Sequence, residues 1–127
     1  MEVSWKPGTT GDVTDPMCPS RNVLEHLTSR WGVLILLALR HRSYRFSELR
    51  RAVGGVSEKM LAQTLQTLER DGFVHRDAKP VIPPRVDYSL TELGQEAARH
   101  VQALAEWTGK RTETVLDNRA AYDEARS

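Results

Sequence analysis

Gly54 and Gly55 stand side by side between two stretches patterned as short helices, and this pair restricts the fold more than any other feature of the chain. Adjacent glycines break a helix and favour turn conformations with positive φ. Before them, Ser47–Val53 reads as a two-turn helix. After them, Ser57 is placed to cap another helix, whose Met60, Leu61, Leu65 and Leu68 share one face. Gly72 is set to end that helix at the position just past its last turn. Two short helices joined by a tight turn make a helix-turn-helix.

The flanking segments extend this unit. Residues 1–17 hold Pro7, Gly8, Thr9, Thr10, Gly11, Asp15 and Pro16 and read as a mobile arm. Pro19 lies near a helix start that Ser20 is suited to cap, and Val23, Leu24 and Leu27 give that helix a short apolar face. Trp31 opens a segment with Val33, Leu34, Leu36, Leu37 and Leu39, apolar almost all round. Such a helix belongs in the middle of a core. A short extended piece, Ser43–Phe46, leads into the Ser47 helix. Beyond Gly72, Phe73–Arg76 reads as a strand, and Arg85–Leu90 alternates as the strand that returns. Between them Pro80, Pro83 and Pro84 bar a central strand. The result is a β-hairpin with a stiff, basic loop, a wing. Thr91 is placed to cap a long helix with Leu93, Ala97, Val101, Leu104, Ala105 and Trp107 as its stripe. Gly109 is expected to bend or interrupt it before a continuation over Thr112–Ala125. The expected fold class is α+β, mainly α: a winged helix-turn-helix over 18–127, with an arm over 1–17.

Size and charge narrow the function. A chain of 127 residues suits one domain with a single core. The longest apolar run, Val33–Leu39, is too short to cross a bilayer, and no signal core is visible, so a cytoplasmic protein with no membrane partner is expected. The net charge of +1 hides an uneven distribution. Residues 20–85 carry twelve Lys/Arg against six Asp/Glu, whereas both ends are acidic. A basic middle is the footprint of a nucleic-acid face, although a solvated charged face gives similar counts. The single cysteine, Cys18, excludes a disulfide within one chain. His26, His41, His75 and His100 show no metal spacing with it, and no cofactor is expected. Gly54-Gly55 lacks the spacing of a phosphate-binding loop, and Ser57 lies in no nucleophile elbow, so an enzyme is not expected.

The helix from Ser57 carries the recognition chemistry. At ~100° per residue, Lys59, Gln63, Gln66 and Arg70 fall opposite Leu61, Leu65 and Leu68. Glutamine bonds adenine bidentately in the major groove, and lysine reaches guanine or phosphate. Recognition helices enter the groove N-terminus first, which favours Ser57, Lys59 and Gln63 for base contact and Arg70 for phosphate. In the wing, Arg76, Lys79 and Arg85 suit the backbone or the minor groove, and the prolines lower the entropy lost on docking. Ser43, Arg45 and Ser47, at the start of the helix before the turn, suit a phosphate. Glu48 is expected to be solvated or paired with Arg45 or Arg51. The bland alternative is a solvated helix and a solubilising hairpin, as in winged helices that serve only as protein-interaction or dimerisation modules.

Residues 18–90 resemble the HxlR-type regulators, a branch related to the MarR family. The likeness rests on Cys18-Pro19 before a helix, Trp31 before an apolar helix, and Arg45-Phe46-Ser47-Glu48-Leu49-Arg50. It continues through Val56–Leu61, Leu65–Gly72 and Pro83–Gly94, in order and in spacing, and Arg119–Asp123 is similar to family tails. The arm over 1–17 lies outside it. The resemblance implies a homodimeric transcriptional regulator, often a repressor, that binds double-stranded DNA at pseudo-palindromic operators and dimerises through terminal helices, here about 19–29 and 91–125. It implies that Cys18 occupies the place of an oxidant- or electrophile-sensing thiol, or that a small-molecule effector sits between the dimer helices and the DNA-binding lobe. Helix N-termini favour thiolates; Arg21 is placed to help and Asp15 to oppose, and a cysteine packed at an interface remains the alternative. Trp31 reads as core, Trp107 as interface, and Tyr44 as packing at the hairpin edge.

Overall fold

The computed structural model describes residues 11–127. Eight elements follow in order: α1 (Pro19–Thr28), α2 (Arg30–Leu39), β1 (Tyr44–Arg45), α3 (Phe46–Ala52), α4 (Glu58–Arg70), β2 (Val74–Lys79), β3 (Arg85–Leu90) and α5 (Glu92–Arg126). The three strands form one antiparallel sheet ordered β1-β3-β2. This is the α+β winged helix-turn-helix expected from the sequence: α3, turn and α4, followed by the β2–β3 wing.

Ile35 and Leu39 of α2, Leu49 of α3, Leu61, Leu65 and Leu68 of α4, and Phe73 and Val74 meet in the main core. Trp31 and Tyr44 pack on its margin, and the Arg42 guanidinium lies 3.7 Å from the Tyr44 ring centroid. A smaller cluster joins Leu36 of α2 to Ala98 and Val101 of α5. Burial therefore ties α2 to both sides, as its apolar surface demands. The burial is incomplete, because Leu34 stays exposed.

Local signals set the element ends. Ser57 Oγ accepts the Met60 N–H at 3.1 Å and caps α4. Gly55 and Gly72 adopt φ of 88° and 86°, which L side chains rarely take. Gly54 does not share this conformation, so of the two glycines in the turn only Gly55 has a positive φ. Thr91 caps α5: its Oγ1 accepts the Gly94 N–H (3.0 Å) and donates to the Gly72 carbonyl (2.6 Å). The Thr91 N–H donates to the Phe73 carbonyl at 3.1 Å. The His26 ring and the Asp71 carboxylate pair across the C-terminal ends of α1 and α4.

Four local readings need correction. Cys18, not Ser20, is the N-cap residue of α1, because Pro19 already occupies the first turn, where its missing N–H costs nothing. Gly109 does not interrupt α5, which runs 35 residues without a break. One helical glycine costs only about 1 kcal/mol, too little to end a helix this long. β2 extends to Lys79, because the prolines begin only at Pro80. Glu48 pairs with Arg42 (3.7 Å) and accepts the Arg45 backbone N–H (2.9 Å), so it closes the start of α3 instead of meeting Arg51. Of the expected arm, residues 1–10 lie outside the described residues. Residues 11–17 run through turns, with Asp12 buried and its carboxylate accepting the Thr14 N–H at 3.0 Å.

Candidate nucleic-acid interface

The outer face of α4 is the centre of the site. Leu61, Leu65 and Leu68 are at most 1% exposed, which fixes the helix rotation. Ser57, Lys59, Gln63, Gln66 and Arg70 are all exposed as a result. Thr64 and Thr67 turn their hydroxyls back onto the carbonyls of Met60 (2.8 Å) and Gln63 (3.1 Å). The long amides and cations are thus left as the outward-reaching donors. An open cleft runs along each flank of α4. One is lined by Gln63 with His26 and Ser29, the other by Gln66 with Glu69, Arg76 and Tyr88.

The segment before the turn joins the wing. Arg45, Ser47 and Arg85, far apart in sequence, line one cleft with Phe46, Pro84 and Val86. Pairing of β1 with β3 brings them together, with Arg45 opposite Asp87. Ser43 is exposed just before β1. Arg50 and Arg51, which the sequence reading passed over, line a second cleft with Ser47 and Ser57. Their signal was present: basic residues in the last turn of the helix that precedes α4. Arg50 is engaged there by Glu58 at 3.1 Å.

Lys79 and Arg85 of the wing are exposed but partnered. Lys79 Nζ lies 2.5 Å from Asp77 Oδ2 and 4.0 Å from Asp87 Oδ2. Arg85 Nε donates to both Asp87 oxygens, at 3.1 and 3.2 Å. The hydrogen bond from Lys79 holds the Asp77 carboxyl below its ordinary range and raises the Lys79 ammonium above its own. The Glu48 carboxyl is also lowered, chiefly by the hydrogen bond from the Arg45 backbone.

Cys18 sits apart from this face. It is 8% exposed, its N–H donates to the Asp15 carbonyl at 3.0 Å, and its carbonyl accepts the Arg21 N–H. The Arg21 guanidinium donates to Glu25 (3.2 Å) and to the Thr14 carbonyl (3.4 Å).

The fold and the arrangement of α3, turn, α4 and wing define a winged helix-turn-helix regulator. Residues 26–115 match the profile of the HxlR-like helix-turn-helix family, and the chain belongs to that family. The HTH-type transcriptional regulator YtfH of Escherichia coli (strain K12) is 59% identical over 114 residues, covering 87% of this chain and 90% of that one. The solved ytfH structure from Salmonella typhimurium is 58% identical with a TM-score of 0.80, covering 84% of this chain and 96% of the other. The redox regulator HypR in its reduced form is 30% identical with a TM-score of 0.72, covering 78% of this chain and 98% of that one. Among the described residues no helix is long and apolar enough to cross a membrane.

Proposed function

We propose that this regulator binds double-stranded DNA in the cytoplasm as a homodimer and represses transcription, with α4 as its recognition helix. One observation carries the reading. The exposed Lys59–Gln63–Gln66 face is bordered by Arg76 on one side, while Arg45, Ser47 and Arg85 share a cleft between α3 and the wing. Ser57, Lys59, Gln63 and Gln66 read base edges; Ser43, Arg45, Ser47, Arg70, Arg76, Lys79 and Arg85 hold the backbone.

The dimer reading rests on α5. Its last buried residue is Val101, and everything from Glu106 onward is exposed. Most helical stability in proteins comes from packing of an apolar face, and within one chain this stretch stays exposed. The helix presents Leu104, Trp107, Val115, Leu116 and Tyr122, each at least 40% exposed. Val23 and Leu24 of α1 are exposed as well. A second copy covers these surfaces and spaces two α4 helices for successive major grooves. The functional unit spans 18–127, with 1–17 as an accessory arm.

Cys18 adjusts the spacing of the two lobes when oxidised, a role supported by similarity to a regulator named for redox control. With one cysteine per chain, any disulfide it forms is intersubunit or with a small thiol.

The test uses a duplex selected by the full chain from a random-sequence library. Lys59→Ala and Gln63→Ala each lower affinity for it by about 1–3 kcal/mol, roughly five- to 150-fold. Undiminished binding by both variants refutes α4 as the reading element. Diamide treatment lowers the affinity of the wild type but not of Cys18→Ser; an identical response in both removes Cys18 from the mechanism.

A further inference from the structure

The wing carries an unusual arrangement of like charges. In the β2–β3 register Asp77 stands directly opposite Asp87, and Lys79 directly opposite Arg85. All four side chains share one face of the sheet, because they lie two residues apart along their strands. Like charges directly opposite destabilise a ladder. Here each acidic rung lies beside a basic one: Lys79 bonds Asp77 and reaches Asp87, and Arg85 bonds Asp87. Asp87 is the centre of the array. It stands opposite Arg45 in the β1–β3 register, and its side chain is only 17% exposed.

The four charges cancel. Lys79 and Arg85 therefore add nothing to the long-range field that draws a protein to any duplex, although both project from the wing. They gain from DNA only where a phosphate sits close enough to displace or share their carboxylate partners. We propose that Asp77 and Asp87 are specificity-determining residues, carboxylates that hold the wing cations in place and suppress their attraction to DNA of arbitrary sequence. The Lys79–Asp77 hydrogen bond lowers the Asp77 carboxyl and raises the Lys79 ammonium, in keeping with that geometry. This inference rests on the DNA-binding reading above and adds to it the residues that limit the reading to fitting sites.

The test compares the full-length wild type with Asp87→Asn and Asp77→Asn on two duplexes: the selected one and a scrambled one of equal length. Asparagine keeps the shape and removes the charge. Each variant should bind the scrambled duplex about 3–10-fold more tightly at 0.1 M salt. The log–log salt dependence should steepen by about 0.9, one additional phosphate contact. Affinity for the selected duplex should change less, so the ratio of the two falls. Asp87→Glu, which restores the charge, should return the slope to the wild-type value. A parallel loss on both duplexes with an unchanged slope means that the carboxylates only support the hairpin, and overturns the proposal. If Asp87→Asn does not fold, Asp77→Asn, whose carboxylate is 44% exposed, decides alone. Salt-dependent binding by the wild type with no change in the variants refutes this inference only. Absence of wild-type binding to either duplex removes the DNA-binding reading, and this inference with it.

Discussion

Replacing Gly94 by alanine sets two effects against each other at one position. Gly94 lies in the first turn of α5, where alanine is the better helix former by about 1 kcal/mol. A Cβ at this position, however, meets the Phe73 carbonyl oxygen at 2.0 Å and its carbon at 3.0 Å. Ordinary contact needs more than ~3 Å, so the start of α5 must withdraw from the Gly72–Phe73 backbone by about 1 Å. That movement strains three hydrogen bonds centred on Thr91: its N–H to Phe73, its hydroxyl to Gly72, and the Gly94 N–H to its Oγ1. Each contributes about 1 kcal/mol. After the propensity gain is subtracted, the net loss is about 2 kcal/mol. An unfolding entropy of ~2.1 cal/mol/K per residue gives about 4 °C per kcal/mol for a chain of this length, hence a fall in Tm of about 8 °C. The assay is a thermal melt followed by circular dichroism at fixed protein concentration, since an oligomer melts in a concentration-dependent way. Gly109→Ala is the control. Nothing lies within 4 Å of its Cβ, so propensity acts alone and Tm should rise by about 2–4 °C. A rise for Gly94→Ala of the same size as for Gly109→Ala would refute the close approach as the reason for glycine at 94.

Leu65→Ala empties a site that is 1% exposed between α4 and α2, and should cost about 2–5 kcal/mol in urea unfolding while the slope of the transition is kept. Glu48 has a folded pKa below its ordinary value of 4.5, so its stabilising contribution is present above that value and is lost as pH falls through the depressed folded one. Glu48→Gln should therefore lose the part of the acid-side slope of unfolding free energy against pH that Glu48 supplies, with little change in slope near neutrality. Trp107, 58% exposed in the single chain, should anchor the dimer; sedimentation of Trp107→Glu should show at least ten-fold weaker association with the far-UV spectrum kept.

Much of the fold was legible because its signals are local. Ser57, Gly72 and Thr91 each act through hydrogen bonds or a φ angle within a few residues, so residue type alone located the ends of α4 and the start of α5. The rotation of α4 followed from the spacing of Leu61, Leu65 and Leu68. What escaped depended on partners distant in sequence. The cancellation of the wing charges arises from strand register, which sets Asp77 against Asp87 and brings Arg45 beside the latter. Arg85 reads as a free cation until residues 85 and 87 are known to share one face of one strand. The open surface of α5 was legible only as an apolar stripe; its exposure beyond Val101 needed the packing of the whole chain.

A footprint of the full-length chain on its selected duplex tests the central claim most directly. Two α4 helices related by a two-fold axis should give two patches of major-groove protection centred about 10 bp apart on one face of the DNA. The wings should add minor-groove protection beside them. A single patch, or even protection without groove preference, would contradict a dimeric winged helix that reads DNA through the face of Lys59, Gln63 and Gln66.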